Sequence, residues 1–290
     1  MKTTILYLGS YHGYAILTVL PPFPLKAIIP IAGLGTRLLP FSKVIPKAML
    51  PVHNRPSIQW IVEELNEAGI TEIIFITSKG QEMVKEYFTQ RTWYDEELHT
   101  RGHHEHLENL EYIRKLSNFH FVEQKEQLGD GHAILQARNL IDPEEPFFVI
   151  FGDCLYHGDD VISKMRQLHA LRNRSIIALQ EIEPEETTYY GIVGHTEEGK
   201  TFIIDQMVEK PEPRLAPSNK AIIGRYLLTP AIWEHLEKEL SGSGEIRLID
   251  ALEDLQKEEE VYGLLLEGHW LDTGSLEGIQ KATEHLRKEH

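Results

Sequence analysis

Cysteine is almost missing from this chain: among 290 residues only Cys154 is present. That excludes an intrachain disulfide and a cysteine-rich zinc site, and it fits a reducing, cytoplasmic compartment. Basic residues are scarce relative to acidic ones, 29 Lys+Arg against 45 Asp+Glu, leaving a formal charge of −16 at pH 7. Nucleic acid polymers and anionic membranes are held by basic faces, so neither is expected as a partner. Long apolar runs are lacking too. The most apolar stretch, residues 1–25, is broken at Gly9-Ser10, His12-Gly13 and Pro21-Pro22, too often to cross a bilayer. Its Ala15 to Leu20 core has no small-x-small cleavage site after it, which makes a poor signal peptide. We expect residues 1–25 to be a poorly ordered extension or an early start, and residues 26–290 to form one domain. No internal repeat or low-complexity linker divides it.

What is present is an alternation of short β-rich runs and amphipathic helical stretches. Ala27 to Ile31 is a continuous apolar run, as in a buried parallel strand. Ser57 to Ala68 places Ile58, Ile61, Val62 and Leu65 at helical spacing, with Gly69 suited to end the helix. Strands are expected at Ile73 to Thr77, Phe147 to Phe151, Ser175 to Leu179, Thr201 to Val208 and Ala221 to Leu228. Helices are expected at Gln81 to Gln90, Gly131 to Leu140, Pro230 to Leu240, Leu248 to Lys257 and Ser275 to Lys288. This βα alternation predicts an α/β fold: a Rossmann-like mixed, mostly parallel sheet with helices on both faces. The segment Arg91 to Asn118 interrupts the rhythm. Its His99, His103, His104 and His106 lack a carboxylate or cysteine at ligand spacing, so a solvated helical excursion is expected there, not a metal site.

The chemistry starts where the first apolar run ends, at Ala32-Gly33-Leu34-Gly35-Thr36-Arg37-Leu38. Glycines in such a turn let backbone N–H groups approach a phosphate with no Cβ in the way, and a following helical start would aim its N-terminus at the anion. The dinucleotide fingerprint fails at its third glycine, where Leu38 stands, and a Gly-Lys-Ser/Thr phosphate loop is absent. Instead Arg37 lies within the loop and Lys47 follows in Pro46-Lys47-Ala48-Met49-Leu50-Pro51.

Ala32 to Pro40 and Pro46 to Pro51 together resemble the opening signature of the sugar-phosphate nucleotidyltransferases, with the uridylyl-transferring branch most similar. The resemblance continues through Gln124 to Ala133, Phe151-Gly152-Asp153, Tyr190 to Val193, Val208 to Pro211, Pro217 to Asn219, Gly224 to Tyr226, Gly244 to Ala251 and Leu271 to Ser275. It implies transfer of a uridylyl group from UTP to glucose 1-phosphate, giving UDP-glucose and pyrophosphate by direct in-line attack with Mg²⁺. The partners are then small-molecule substrates, and a homo-oligomer, dimer or tetramer, is typical of such proteins.

The same resemblance implies roles residue by residue. Arg37, Lys47 and Lys210 would be the catalytic cations on the phosphates. Ala32, Gly33, Gly35, Thr36, Gln124 and Gly129 would bind the nucleotide, Gln124 through an amide that both donates to and accepts from a base. Gly191, Glu209 and Ile222 would face the sugar. Asp153 and Asp272, each at a strand end, would hold Mg²⁺, which favours hard oxygen ligands. Cys154 is expected to be a buried packing residue. Three positions depart from the uridylyltransferase pattern: Ala48, Glu123 and Asp130. Ala48 and Asp130 are expected to flank the nucleotide pocket. A thymidylyl- or cytidylyltransferase of a related sugar 1-phosphate, and a non-catalytic nucleotide-sugar-binding regulatory subunit, stay open as alternatives.

Overall fold

The apolar run after Lys26 forms β1 (Lys26–Pro30), with Ala27, Ile28 and Ile29 fully buried. This computed structural model describes residues 5–11, 14–19, 26–198, 201–240 and 244–289. The other strands of the main sheet are β2 (Glu72–Thr77), β3 (Asn118–Glu123), β4 (Phe147–Ile150), β5 (Ile176–Glu181), β6 (Gly191–Glu198), β7 (Thr201–Glu209), β8 (Lys220–Leu228) and β9 (Val261–Leu265). Their order across the sheet is β5-β9-β7-β6-β8-β4-β1-β2-β3, with a further pairing of β5 to β8.

The helices are α1 (Ser57–Glu67), α2 (Glu82–Thr89), α3 (Trp93–Thr100), α4 (His104–Arg114), α5 (Asp130–Leu135), α6 (Val161–Arg172), α7 (Ile232–Glu239), α8 (Leu248–Leu255) and α9 (Leu276–Glu289). Successive strand residues alternate between two cores, as a period of two demands. Ala27 and Ile29 join Ile58, Ile61 and Leu65 of α1 and Met165 of α6 on one face. Ile28 joins Ile134 of α5, Leu236 of α7 and Leu252 of α8 on the other. Helices therefore cover both faces, as expected.

The sheet is mixed, and among the described residues its parallel pairings are confined to β4-β1-β2-β3 and to β5–β9. Around β6, β7 and β8 the pairings are antiparallel, more of them than the βα alternation suggests. Only residues 199–200 separate β6 from β7, and a parallel crossover needs a dozen or more.

Two further differences concern helices. The stretch expected to be helical to Leu140 leaves α-geometry at Leu135, and Arg138–Leu140 is a 3-10 turn. Helix α6 falls where no helix is expected. Asp160 caps it by accepting from the Ser163 N–H at 3.1 Å, and Asn173 ends it at φ 51°. The histidine-rich excursion is helical, as α3 and α4, divided at Gly102 with φ 75°. Its His103 and His106 rings lie 5.8 Å apart. Of the expected extension, Ile5–Tyr11 and Tyr14–Val19 pair as an antiparallel ladder of their own. Among the described residues no helix is long and apolar enough to cross a membrane.

Candidate active site

The loop after β1 is shaped by the residues that the chemistry needs. Gly35 takes φ 63° just before the 3-10 turn Thr36–Leu38, whose Leu38 is fully buried and pins the loop. The helical start expected here is that one short turn. A later 3-10 turn, Lys47–Met49, brings Lys47 beneath the loop: a Cβ on Gly33 would stand 3.8 Å from its Nζ. The intervening Ala48 is 1% exposed, joins the core against α1, and accepts from the Ser57 hydroxyl at 3.0 Å through its carbonyl. Its side chain therefore does not flank the nucleotide pocket as expected, because the turn points it inward.

Two short strands, Cys154–His157 and His269–Asp272, pair antiparallel so that Cys154 faces Asp272. This ladder carries Asp153 and Asp272 to one end. Thr273 fastens it by donating to the Asp153 carbonyl from its N–H at 2.8 Å and its hydroxyl at 2.9 Å. Lys47 Nζ lies 2.6 Å from Asp153 Oδ2. Burial opposes both charges, but each outweighs it for the other: the Asp153 pKa is held below the usual carboxylate range and that of Lys47 above the usual lysine range. Asp272 accepts from the Gly274 N–H at 2.8 Å and from the Tyr190 hydroxyl at 3.3 Å. Burial first, then the Asp272 charge, push the Tyr190 phenol up, so it stays protonated and donates. Cys154 is buried and its thiol is pushed far up by burial and by Asp153, the inert packing role expected of it.

The cleft has two lobes. One, of about 440 Å³, is lined by Ala32, Gly33, Gly35, Thr36, Lys47, Gln124 and Gly129. The other, of about 560 Å³, is lined by Arg37, Gly191, Glu209, Lys210, Ile222 and Asp272. Asp130, Phe151 and Asp153 line both. Every residue assigned a role from the sequence thus borders one cleft, and the two groups meet at Asp153.

In the first lobe Gln124 is 3% exposed, and its amide donates to the Gly129 carbonyl at 2.9 Å and faces His132 Nδ1 at 3.0 Å. The amide is thereby held in one orientation. Gly129 has φ 109°, and a Cβ there would run into the Ile246 carbonyl. We expect Gly129→Ala to destabilise the fold by about 2 kcal/mol or more and to deform this lobe. Urea unfolding and nucleotide affinity would show it. In the second lobe Lys210 adopts φ 48°, rare for a side-chain-bearing residue, and donates its N–H to the Tyr190 carbonyl at 3.0 Å. Its ammonium sits 2.9 Å from Glu209 Oε1 on a side chain that is 57% exposed.

Asp130 is a half-buried acid on the cleft wall. Its carboxylate accepts from the Leu248 N–H at 2.9 Å, at the start of α8, while the neighbouring Gly131 N–H donates to the Ile246 carbonyl at 2.9 Å. Burial, reinforced by Glu209 and Glu245, pushes its pKa up to about 6. The folded protein therefore binds the proton more tightly than the unfolded chain, and stability falls as pH rises from about 4 to about 6. Asp130→Asn removes that slope. Melting temperatures across pH 4–8 are expected to flatten in this region, with the variant the more stable above pH 6.

Some functional positions carried no role in the sequence. Tyr190 and Trp270, with rings 4.4 Å apart, wall the second lobe beside Asp272. Thr273 clamps the ladder, and Arg225 lies fully buried beneath it. For Tyr190, Thr273 and Arg225 the sole signal was their place inside recognised motifs; Trp270 lies just before one and carried none. Among the described residues no group of three or more histidines, cysteines or acids could hold a metal ion. The two aspartates instead suit a hard cation that takes its remaining ligands from water and phosphate.

The nucleotidyl transferase family model matches residues 26–289. A UTP–glucose-1-phosphate uridylyltransferase of Staphylococcus epidermidis is 41% identical over 261 residues, 89% of this chain and 90% of that one. One from Staphylococcus saprophyticus is 42% identical over the same length, covering 89% and 91%. Among solved structures, a UDP-glucose pyrophosphorylase complexed with UDP-glucose superposes with a TM-score of 0.82 at 36% identity, covering 93% of this chain and all of that one. A UTP-bound enzyme of the same kind from Acinetobacter baumannii gives 0.85 at 33%, covering 93% and 95%. With the glycine loop, the two cations and the two-lobed cleft in place, the chain belongs to the nucleotidyl transferase family.

Proposed function

We propose that the protein is a UTP–glucose-1-phosphate uridylyltransferase. The observation that carries this reading is the meeting of the two lobes at Asp153, with Asp272 paired alongside. A nucleotide in the first lobe and a sugar phosphate in the second would bring their phosphates together at that point. A phosphate oxygen of glucose 1-phosphate attacks the α-phosphorus of UTP. The bond from that phosphorus to the bridging oxygen of the β-phosphate breaks, pyrophosphate leaves, and UDP-glucose remains.

Both substrates are anions, so the work of the site is positioning and charge neutralisation. Gly33, Gly35 and Thr36 present the loop to the triphosphate, Arg37 and Lys47 neutralise it, and Lys210 neutralises the sugar phosphate. Gln124 faces the pyrimidine edge, together with the backbone of Ala32 and Gly129. Glu209 accepts from sugar hydroxyls, while Gly191 and Ile222 shape the wall against the ring. Asp153 and Asp272 would hold a divalent cation, Mg²⁺ by the hardness of their oxygens. When bound, it would offset the negative charge of the reacting phosphates.

The reading is tested by incubating the protein with Mg²⁺, each of UTP, dTTP and CTP, and a set of hexose 1-phosphates, and identifying products chromatographically. UDP-glucose is expected as the preferred product. A preference for dTTP or CTP, or no product from any pair, would overturn it. Because Ala48 is packed in the core, its departure from the uridylyltransferase pattern does not reach the base.

A further inference from the structure

Asp130 stands where the resembling motif has an apolar residue, and no step of the proposed reaction uses it. We infer that the Asp130 carboxylate is a hydrogen-bond acceptor for a sugar hydroxyl, of the hexose or of the ribose, at the junction of the two lobes. The inference rests on the uridylyltransferase reading and adds a recognition residue to it.

Three observations carry it. First, Asp130 borders both lobes, a position it shares with Phe151 and Asp153. Second, its carboxylate is fixed by the Leu248 N–H at 2.9 Å. A carboxylate has about four lone-pair sites, so about three remain for other donors. Third, its charged neighbours include Glu209 and Glu245, and the nearby Arg247 guanidinium is engaged at 2.7 and 2.8 Å by Asp250. A half-buried carboxylate set beside other acids is costly, and a neutral asparagine would cap α8 as well. The charge therefore serves something other than the cap. Phosphate oxygens would be repelled by it, whereas hydroxyl donors would satisfy it, so the ligand group is a hydroxyl.

Asp130→Asn keeps an acceptor for the Leu248 N–H and exchanges the remaining oxygen for a donor. KM for glucose 1-phosphate and for UTP would be measured separately in this variant, with kcat. KM for one of them is expected to rise about tenfold or more, with kcat changed much less and the melting temperature at pH 7.5 not lowered. Deoxy analogues of each substrate identify the source. The analogue lacking the partner hydroxyl should be poor for the wild-type protein yet suffer no further loss in the variant. If both KM values stay within about twofold, or if no deoxy analogue is penalised in the wild-type protein, the assignment is overturned and Asp130 is a helix cap alone. Wild-type UDP-glucose formation is the reference in every arm, so that outcome leaves the proposed reaction standing.

Discussion

Asp153→Asn is expected to lower kcat/KM for UDP-glucose formation by about three orders of magnitude or more while the fold survives. The amide has the carboxylate's shape, and Thr273 clasps the Asp153 backbone carbonyl, not its side chain, so the ladder keeps its end in place. What disappears is one of the two anionic oxygen donors proposed for a divalent cation and the partner of Lys47 at 2.6 Å. Burial then acts on the Lys47 ammonium with its main counterweight gone, in the lobe proposed to receive the triphosphate. Charge placed against developing charge in a cleft is worth factors of this size. The same pair gives a pH signature. Because Asp153 is held below its ordinary value, its contribution to stability is present above about pH 4 and lost as pH falls through the folded value. The variant should lack that share of acid sensitivity. Steady-state kinetics at saturating Mg²⁺, with circular dichroism melting from pH 3 to 8, check both parts. Turnover like the wild type would refute the assignment of Asp153.

The largest loss of stability is expected at Arg225. This side chain is fully buried, bonded to Glu64 of α1 at 2.6 and 3.2 Å and to the Cys154 carbonyl at 2.6 Å. Its guanidinium also stands 5.7 Å from the Tyr156 ring centroid. It therefore joins β8, α1 and the ladder that carries Asp153. Arg225→Met would strand the half-buried Glu64 carboxylate and leave the Cys154 carbonyl without this donor, a change that costs about 3–5 kcal/mol. Removing both charges, as in Glu64→Leu with Arg225→Met, is expected to recover much of that loss, because two desolvation penalties vanish together. Urea unfolding of the two single variants and the double variant closes the cycle. A loss under about 1 kcal/mol in Arg225→Met would contradict the role given to this pair. Activity of the single variant should fall further than its folded fraction explains, since the loosened strand end carries the Asp153 carboxylate.

The chemistry-bearing residues were legible because they follow strand ends or sit in glycine turns. The run into β1 announced the loop with Arg37, and Phe151-Gly152-Asp153 follows β4 directly. The placing of Asp153 and Asp272 at one end of a ladder was harder to see. It depends on two strands of four residues, Cys154–His157 and His269–Asp272, too short to show a period and far apart in the chain. Arg225 was hidden for another reason: nothing in the apolar run of β8 announces its Glu64 partner, which comes from a distant helix. The antiparallel stretch of the sheet escaped for want of a signal in strand direction itself. Ala48 shows the reverse error, since a departure inside a motif looked like a pocket change until the 3-10 turn placed it in the core.

Direct transfer between two substrates in adjoining lobes has a consequence that labelled pyrophosphate tests most directly. With no uridylyl group held on the protein, labelled pyrophosphate should not enter UTP when UTP is the sole nucleotide present with Mg²⁺. It should enter UTP rapidly once UDP-glucose is supplied, through reversal of the attack by glucose 1-phosphate. Exchange with UTP alone would demand a covalent intermediate, and no exchange with UDP-glucose would remove the reaction itself. Either result would contradict the account.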